Sequence, residues 1–213
     1  MENYIITIAR GLGSGGSHIG KILAKELGIH YYDNEILQMA ADRSGINESY
    51  FYDANEKIMV GALAVKNSTG VYNKRTLYHE GDKEFFSNEN LFNFEAEVMK
   101  NMAIEGKDSC IIIGKAANYI LRGLKNVVKI NIQAPEDKCV YNLVKRECIN
   151  AAEAKKKIAK TDKYRADYYK YYTGENWISP KEYDLCINTG SVSEEYAAKM
   201  IIDLLKQREL INQ

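Results

Sequence analysis

The sequence predicts an α/β fold, a doubly wound parallel sheet flanked by helices, and three observations predict it. Short apolar runs with strand length and β-branched content alternate with longer segments whose apolar positions recur at helical spacing, an order that packs as a parallel sheet covered on both faces. Gly11, Gly13, Gly15, Gly16 and Gly20 place five glycines in ten residues, directly between the first apolar run and the first helical pattern. Only two prolines occur, Pro135 and Pro180, both at element starts or in loops.

Tyr4 to Ile8 reads as the first strand, and residues 18–27 as the helix after the glycine cluster, stopped by Gly28. Asp33 ends a second strand, and a helix follows over 34–43. From about Ser44 to Asn88 the chain is more polar and less periodic, broken by Gly61, Gly70 and Gly81. Together with the helical pattern at 88–105 it reads as a helical insertion over 44–106 that covers the substrate side. Three more strands are expected at Cys110 to Ile113, Val127 to Ile132 and Tyr183 to Ile187, and three more helices at 135–148, 151–172 and 193–208. Gly106 and Gly123 are placed as helix stops. At 213 residues the whole chain, 1–213, is expected to form a single domain with a sizeable core.

Composition excludes several functions. The 29 basic and 29 acidic residues cancel, so no basic excess points to a nucleic-acid partner, and any phosphate site must be local. No run approaches the roughly 18 apolar residues of a membrane span, and the N-terminus carries Glu2 and lacks a basic segment followed by a long apolar one. No membrane partner and a cytoplasmic location are therefore expected. Cys110, Cys139, Cys148 and Cys186 form no C-x-x-C pair, which speaks against a zinc site or a disulfide framework. His18, His30 and His79 have no metal-ligand spacing.

The glycine cluster reads as a phosphate-binding loop: glycines let backbone N–H groups turn toward an anion, and the helix N-terminus adds partial positive charge. Arg10, Gly11, Gly13, Ser14, Gly15, Gly16, Ser17 and Lys21 are the candidate nucleotide-binding residues. Two fingerprints overlap. Gly11, Gly13 and Gly16 satisfy G-x-G-x-x-G, with Asp33 near the distance of a ribose-binding acid in a dinucleotide fold. The alternative is G-x-x-x-x-G-K-[ST]. Gly11 to Gly16 supplies its glycines but puts Ser17 at the lysine; shifted by one, Gly15, Gly16 and Ser17 take the G-K-S positions and Arg10 the first. Neither register contains the lysine. Ser17 is a candidate Mg²⁺ or phosphate ligand, or a helix N-cap.

The second informative stretch is Lys160-Thr161-Asp162-Lys163-Tyr164-Arg165-Ala166-Asp167-Tyr168-Tyr169-Lys170-Tyr171-Tyr172-Thr173-Gly174. With the Ile-Thr-Ile strand, Gly13-Ser14-Gly15-Gly16, Ile19-Gly20, Tyr32-Asp33 and the strand Ile111 to Gly114, it resembles the cytidylate kinase-like family of P-loop proteins. The resemblance implies a P-loop NTPase-type sheet, a helical acceptor-binding insertion and a lid over 150–180. It implies ATP and Mg²⁺ as cofactors, and a nucleotide donor and a small phosphorylated acceptor as partners.

Phosphoryl transfer needs positioning and charge neutralisation, so lid cations suit it. Lys160 and Arg165, aimed inward by a lid loop and with Asp162 orienting Arg165, are the expected catalytic residues. Lys115, where the family carries an arginine for the acceptor phosphate, and Arg122 are expected to bind substrate. Asp33, at the carboxyl end of a strand, is expected to touch the acceptor nucleoside or a metal-bound water, or to cap the next helix. Tyr164, Tyr168, Tyr171 and Tyr172 recur at helical spacing, as a packing stripe or a base-stacking face. A loop without its lysine loses transition-state stabilisation unless another cation substitutes, and Arg10 and Lys21 are the candidates. The leading expectation is ATP-dependent phosphoryl transfer to a nucleoside monophosphate, a pyrimidine (CMP or dCMP). The alternatives are a nucleotide-binding regulator without efficient turnover, a kinase of a non-nucleotide acceptor and, distantly, a NAD-type oxidoreductase.

Overall fold

The computed structural model describes residues 3–59, 70, 72 and 77–212. Strands β1 (Ile5–Arg10), β2 (His30–Tyr32), β3 (Cys110–Ile113), β4 (Val127–Gln133) and β5 (Leu185–Asn188) form one parallel sheet in the order β2-β3-β1-β4-β5. The helices are α1 (Gly16–Leu27), α2 (Glu35–Ser44), α3 (Glu48–Met59), α4 (Asn88–Ile104), the short α5 (Ala117–Ile120), α6 (Glu136–Glu147), α7 (Ala151–Thr173) and α8 (Glu194–Gln207). The fold is the expected P-loop NTPase-type α/β architecture.

Alternation along the strands divides the core in two. Ile6 and Ile8 of β1, Ile111 and Ile113 of β3, and Val128 and Ile130 of β4 pack on Ile19 and Leu23 of α1 and Ile201 and Leu205 of α8. Their neighbours Ile5, Cys110, Ile112 and Val127 face a second cluster built from α2, α4, α5 and α7. Burial on both faces explains why these strands read as continuous apolar runs. That second cluster takes up the tyrosine stripe: Tyr172 stacks on Phe92 of α4 at 3.9 Å between centroids, and Tyr168 meets Tyr172 edge-on at 4.8 Å.

The strand order overturns the dinucleotide reading. β3 lies between β1 and β2, so Asp33, after β2, is two strands from the glycine loop, whereas a dinucleotide fold pairs those strands directly. Part of the expected insertion, residues 60–69, 71 and 73–76 including Gly61, lies outside the described residues; α3 and α4 occupy its described ends. Among the described residues no helix is long and apolar enough to cross a membrane.

Residues 151–173 form one continuous helix where a lid loop was expected to aim Lys160 and Arg165 inward. Asn150 caps it in a reciprocal capping box with Glu153, and Gly174 ends it in the left-handed conformation. Few helix-breaking residues intervene, so the helix runs through the whole motif.

Candidate functional site

The candidate site lies at the carboxyl ends of the strands, where β1, β3, β4 and β5 deliver Arg10, Gly114, Gln133 and Thr189. After Arg10 the chain turns through the glycine loop and enters α1 at Gly16, with Gly15 as its left-handed N-cap. Gly13 also has positive φ, and a Cβ there would lie 2.6 Å from the Cys139 carbonyl oxygen, so the loop packs directly on the backbone of α6. Ser14 is wholly buried: its hydroxyl donates to the Gly11 carbonyl at 2.9 Å, and its own carbonyl accepts from the Thr189 hydroxyl at 2.8 Å. The Asn142 amide donates to the Gly13 carbonyl at 2.9 Å. α6 and the end of β5 thus hold the loop in place, with the α1 N-terminus directed at whatever anion it receives.

Two cavities open beside each other. The first, about 340 Å³, is formed by the glycine loop with Ser17, Asn142, Lys145, Arg146 and Glu194. The second, about 480 Å³, is walled by the rings of Tyr52, Tyr164, Tyr168, Tyr169, Trp177 and Tyr183 and carries Asp33, Asn34, Lys115 and Asn118. Arg10 and Arg165 line both.

These two guanidiniums are fixed in different ways. Arg165 Nη1 donates to Asp162 Oδ1 at 2.9 Å and to the Arg10 carbonyl at 3.0 Å, while the same Asp162 oxygen accepts the Leu12 N–H at 2.9 Å. Arg10 approaches Asp33 at 3.6 Å, and its buried Nε has no hydrogen-bond partner among the described residues. Burial, with repulsion from Arg165, pulls the Arg10 guanidinium down to about 10, partly opposed by Asp33. Burial lowers Arg165 too, and Asp162 opposes it. A site that concentrates cations against their desolvation cost is one arranged for anions.

Lys115 reaches the second cavity through an uncommon backbone. Gly114, Lys115 and Ala116 are consecutive left-handed residues, at φ 71°, 53° and 52°. Non-glycine residues there cost about 1 kcal/mol or more each, which marks the turn as held for a purpose. Burial lowers the Lys115 ammonium, opposed by attraction to Glu95 and Asp33. Glu95, 3% exposed on α4, is pushed up to about 6 by burial. Tyr168, whose hydroxyl is 3.5 Å from Glu95 Oε2, connects that carboxyl to the cavity wall.

The structure brings together Arg10, Gly11, Gly13, Gly15, Gly16 and Ser17 at the first cavity and Asp33 and Lys115 at the second, with Arg165 at both. Asp162 acts on the loop backbone, and Ser14 is turned into the protein. Ser17 is not the N-cap, because Gly15 takes that place. Asn34, not Asp33, is the N-cap residue of α2.

Besides Ser14 and Asp162, three candidates line neither cavity. Lys160 is exposed: Asp162 and Arg165 share one helix face three residues apart, and a residue five from Arg165 does not. Lys21 is exposed on α1, one turn beyond Ser17. Arg122 lies over the Tyr119 ring at 3.6 Å. The tyrosine stripe divides, with Tyr164 and Tyr168 reaching the cavity and Tyr171 and Tyr172 buried in the core.

Sequence reasoning missed Lys145, Arg146 and Glu194, which α6 and α8 carry to the first cavity. Charges at helix ends look ordinary in sequence, and only packing aims them. Glu194, at the start of α8, pairs with His18 and lies against Gly15, where a Cβ would meet its carboxylate.

Comparison with known proteins agrees with this architecture. The cytidylate kinase-like family matches over residues 5–191. The chain is 24% identical over 211 residues to a cytidylate kinase of Methanopyrus kandleri, covering 97% of each. Among solved structures, an uncharacterised protein from Eubacterium ventriosum superposes with a TM-score of 0.70 at 24% identity, over 96% of this chain and 99% of that one. A sugar kinase from Janibacter sp. HTCC2649 superposes with a TM-score of 0.52 at 14% identity, over 96% and 95%. A glycine loop on β1, a parallel sheet in which β3 separates β1 from β2, and a family match over most of the length lead to one conclusion: this chain belongs to the cytidylate kinase-like family.

Proposed function

We propose that this protein transfers a phosphoryl group from ATP to a nucleoside monophosphate, with a pyrimidine, CMP or dCMP, as acceptor. One observation carries the reading: a glycine-loop cavity and an aromatic-walled cavity meet at two shared guanidiniums, Arg10 and Arg165. Donor phosphates suit the first, with its backbone amides and the cations of Lys145 and Arg146. The second suits a planar base against its rings, and a monophosphate near Lys115 and Arg10. The transferring phosphoryl would then lie between the two, where Arg165 and Arg10 face its developing charge.

The residues present fit Mg²⁺ carried by the nucleotide. Among the described residues no group of three or more His, Cys, Asp or Glu stands together; a nucleotide-bound Mg²⁺ keeps phosphate and water ligands and takes only one or two from protein. Ser17, on the first turn of α1, would hold it, and Mg²⁺ when bound neutralises phosphate charge. In the same proposal, α7 and the loop after it serve as the lid over 150–180 and residues 44–106 as the acceptor-side insertion.

The test is ADP release from ATP and Mg²⁺ with CMP, dCMP, UMP, AMP or GMP, against an acceptor-free control. Stimulation by CMP or dCMP is expected. Stimulation by a purine alone would overturn the pyrimidine assignment, and silence from folded protein would overturn the nucleoside monophosphate reading. A second reading, a nucleotide-binding regulator with little turnover, is favoured by the Glu194 carboxylate lying against Gly15 in the donor cavity. It predicts nucleotide-induced thermal stabilisation with no acceptor-stimulated release.

A further inference from the structure

The register of the loop, left open by the sequence, is decided by where the helix starts. In G-x-x-x-x-G-K-[ST] the lysine opens the helix and the first glycine stands six residues before it. Here α1 opens at Gly16 behind the N-cap Gly15, so Gly16 stands at the lysine position and Arg10 at the first glycine. Side chain and glycine have changed places.

The geometry gives the reason. A Cβ on Gly16 would lie 2.5 Å from Arg10 Cβ, 3.1 Å from Arg10 Cγ and 3.2 Å from Ile132 Cβ. The first of these is closer than carbon atoms approach, so without backbone movement positions 10 and 16 cannot both carry side chains. A glycine at 10 makes room for a lysine at 16; an arginine at 10 requires glycine at 16. Arg10 also leaves the strand toward the boundary of the two cavities, where Gly114 keeps the wall thin: a Cβ at 114 would lie 2.5 Å from Arg10 Nη1. Its buried Nε lacks a hydrogen-bond partner among the described residues, and its approach to Asp33 is 3.6 Å. Arg165, by contrast, is already engaged with Asp162 and the Arg10 carbonyl.

We propose that Arg10 is the catalytic cation of this protein, a guanidinium on β1 that takes over the role of the absent loop lysine at the transferring phosphoryl group. This rests on the phosphotransferase reading above. In the step, an acceptor phosphate oxygen forms the new P–O bond while the bridging P–O bond to the donor's β-phosphate breaks, and ADP leaves with that electron pair. Arg10 moves no proton; it neutralises charge on the oxygens in transit.

The test uses inorganic pyrophosphate and tripolyphosphate as probes, bound to the full chain with Mg²⁺ and followed by calorimetry, beside turnover with the acceptor panel. Wild type is expected to hold tripolyphosphate about tenfold or more tighter than pyrophosphate, the worth of one charge-assisted contact to the third phosphate. Arg10→Gln is expected to close that gap, leave pyrophosphate affinity within about threefold, and lower kcat by about a hundredfold to a thousandfold. The swap Arg10→Gly/Gly16→Lys, which moves the cation back to the loop and removes the clash with position 10, is expected to reopen the gap and recover about tenfold or more of the rate of Arg10→Gly alone.

A gap and kcat unchanged in Arg10→Gln would overturn the proposal. So would a swap that folds as well as Arg10→Gly but recovers nothing, because a merely structural arginine is not rescued by a lysine elsewhere. Should Arg10→Gln not fold, Arg10→Met is read by the same two probes. A wild type that turns over no acceptor refutes the phosphotransferase reading, while the probes still judge whether Arg10 meets the third phosphate.

Discussion

Asp162 Oδ1 accepts the backbone N–H of Leu12 at 2.9 Å, a hydrogen bond spanning 150 residues of sequence that fastens the middle of α7 to the first turn of the glycine loop. The same oxygen accepts from Arg165, which in turn donates to the Arg10 carbonyl. α7 and the glycine loop therefore share one network, and a movement of either is felt by the other.

Removing its centre has a measurable cost. Asp162→Ala takes the acceptor from the Leu12 N–H and the carboxylate from Arg165, which keeps only its bond to the Arg10 carbonyl, and is expected to destabilise the fold by about 1–3 kcal/mol in urea unfolding. ATP affinity, followed by calorimetry, falls with it. Asp162→Asn, which keeps one acceptor, is expected to lose less than half as much.

Arg165→Ala is expected to lower turnover by about a hundredfold with the far-UV spectrum unchanged, the usual size for losing one preorganised charge at a transition state. Steady-state kinetics with ATP and the active acceptor read it directly. An unchanged rate would remove Arg165 from the reacting groups.

Two glycines with the same backbone preference separate packing from strain. Gly28 and Gly13 both have positive φ, but a Cβ at Gly28 meets nothing within 4 Å, whereas at Gly13 it meets the Cys139 carbonyl at 2.6 Å. Gly28→Ala is expected to cost about 1–2 kcal/mol, the strain of the left-handed conformation alone. Gly13→Ala is expected to cost clearly more and to abolish nucleotide-induced thermal stabilisation, because α6 must move for the loop to accept it.

Glu95 supplies a pH dependence. Burial raises its folded-state carboxyl from 4.5 to about 6. A raised acid is most stabilising when protonated, so its contribution is fully present below pH 4.5 and is lost as the pH rises through 6. Glu95→Gln removes that titration. The variant is expected to gain up to about 2 kcal/mol relative to wild type between acid and neutral pH, measured by urea unfolding across that range.

What the sequence determined by itself was the order of elements with strong periodicity and the chemistry of the loop. β1, β3 and β4 announced themselves as apolar runs because both faces of the sheet are buried there, the edge strand β5 was legible from its short apolar run, and the 23-residue α7 and the glycine loop were legible from spacing alone. β2 was visible only through Asp33, because His30–Tyr32 is three residues long and not fully buried. α3 and α5 escaped notice as well, one in a polar stretch and the other four residues long.

Tertiary structure decided the rest. Whether Asp33 served a ribose or a second cavity depended on β3 inserting between β1 and β2, a pairing that no local pattern encodes. Lys160, Asp162 and Arg165 read as one lid motif, yet helix geometry gives only the last two a common face. Lys145, Arg146 and Glu194 became site residues because α6 and α8 pack beside the loop. Most telling are Arg10 and Gly16: the sequence shows an arginine and a glycine six residues apart, and only the 2.5 Å separation between Arg10 Cβ and the Cβ that Gly16 lacks shows that the arginine leaves no room for a side chain at 16. Periodicity and residue chemistry are local and survive in the sequence, whereas exclusion of one side chain by another is a property of space, and it exists only once the chain has folded.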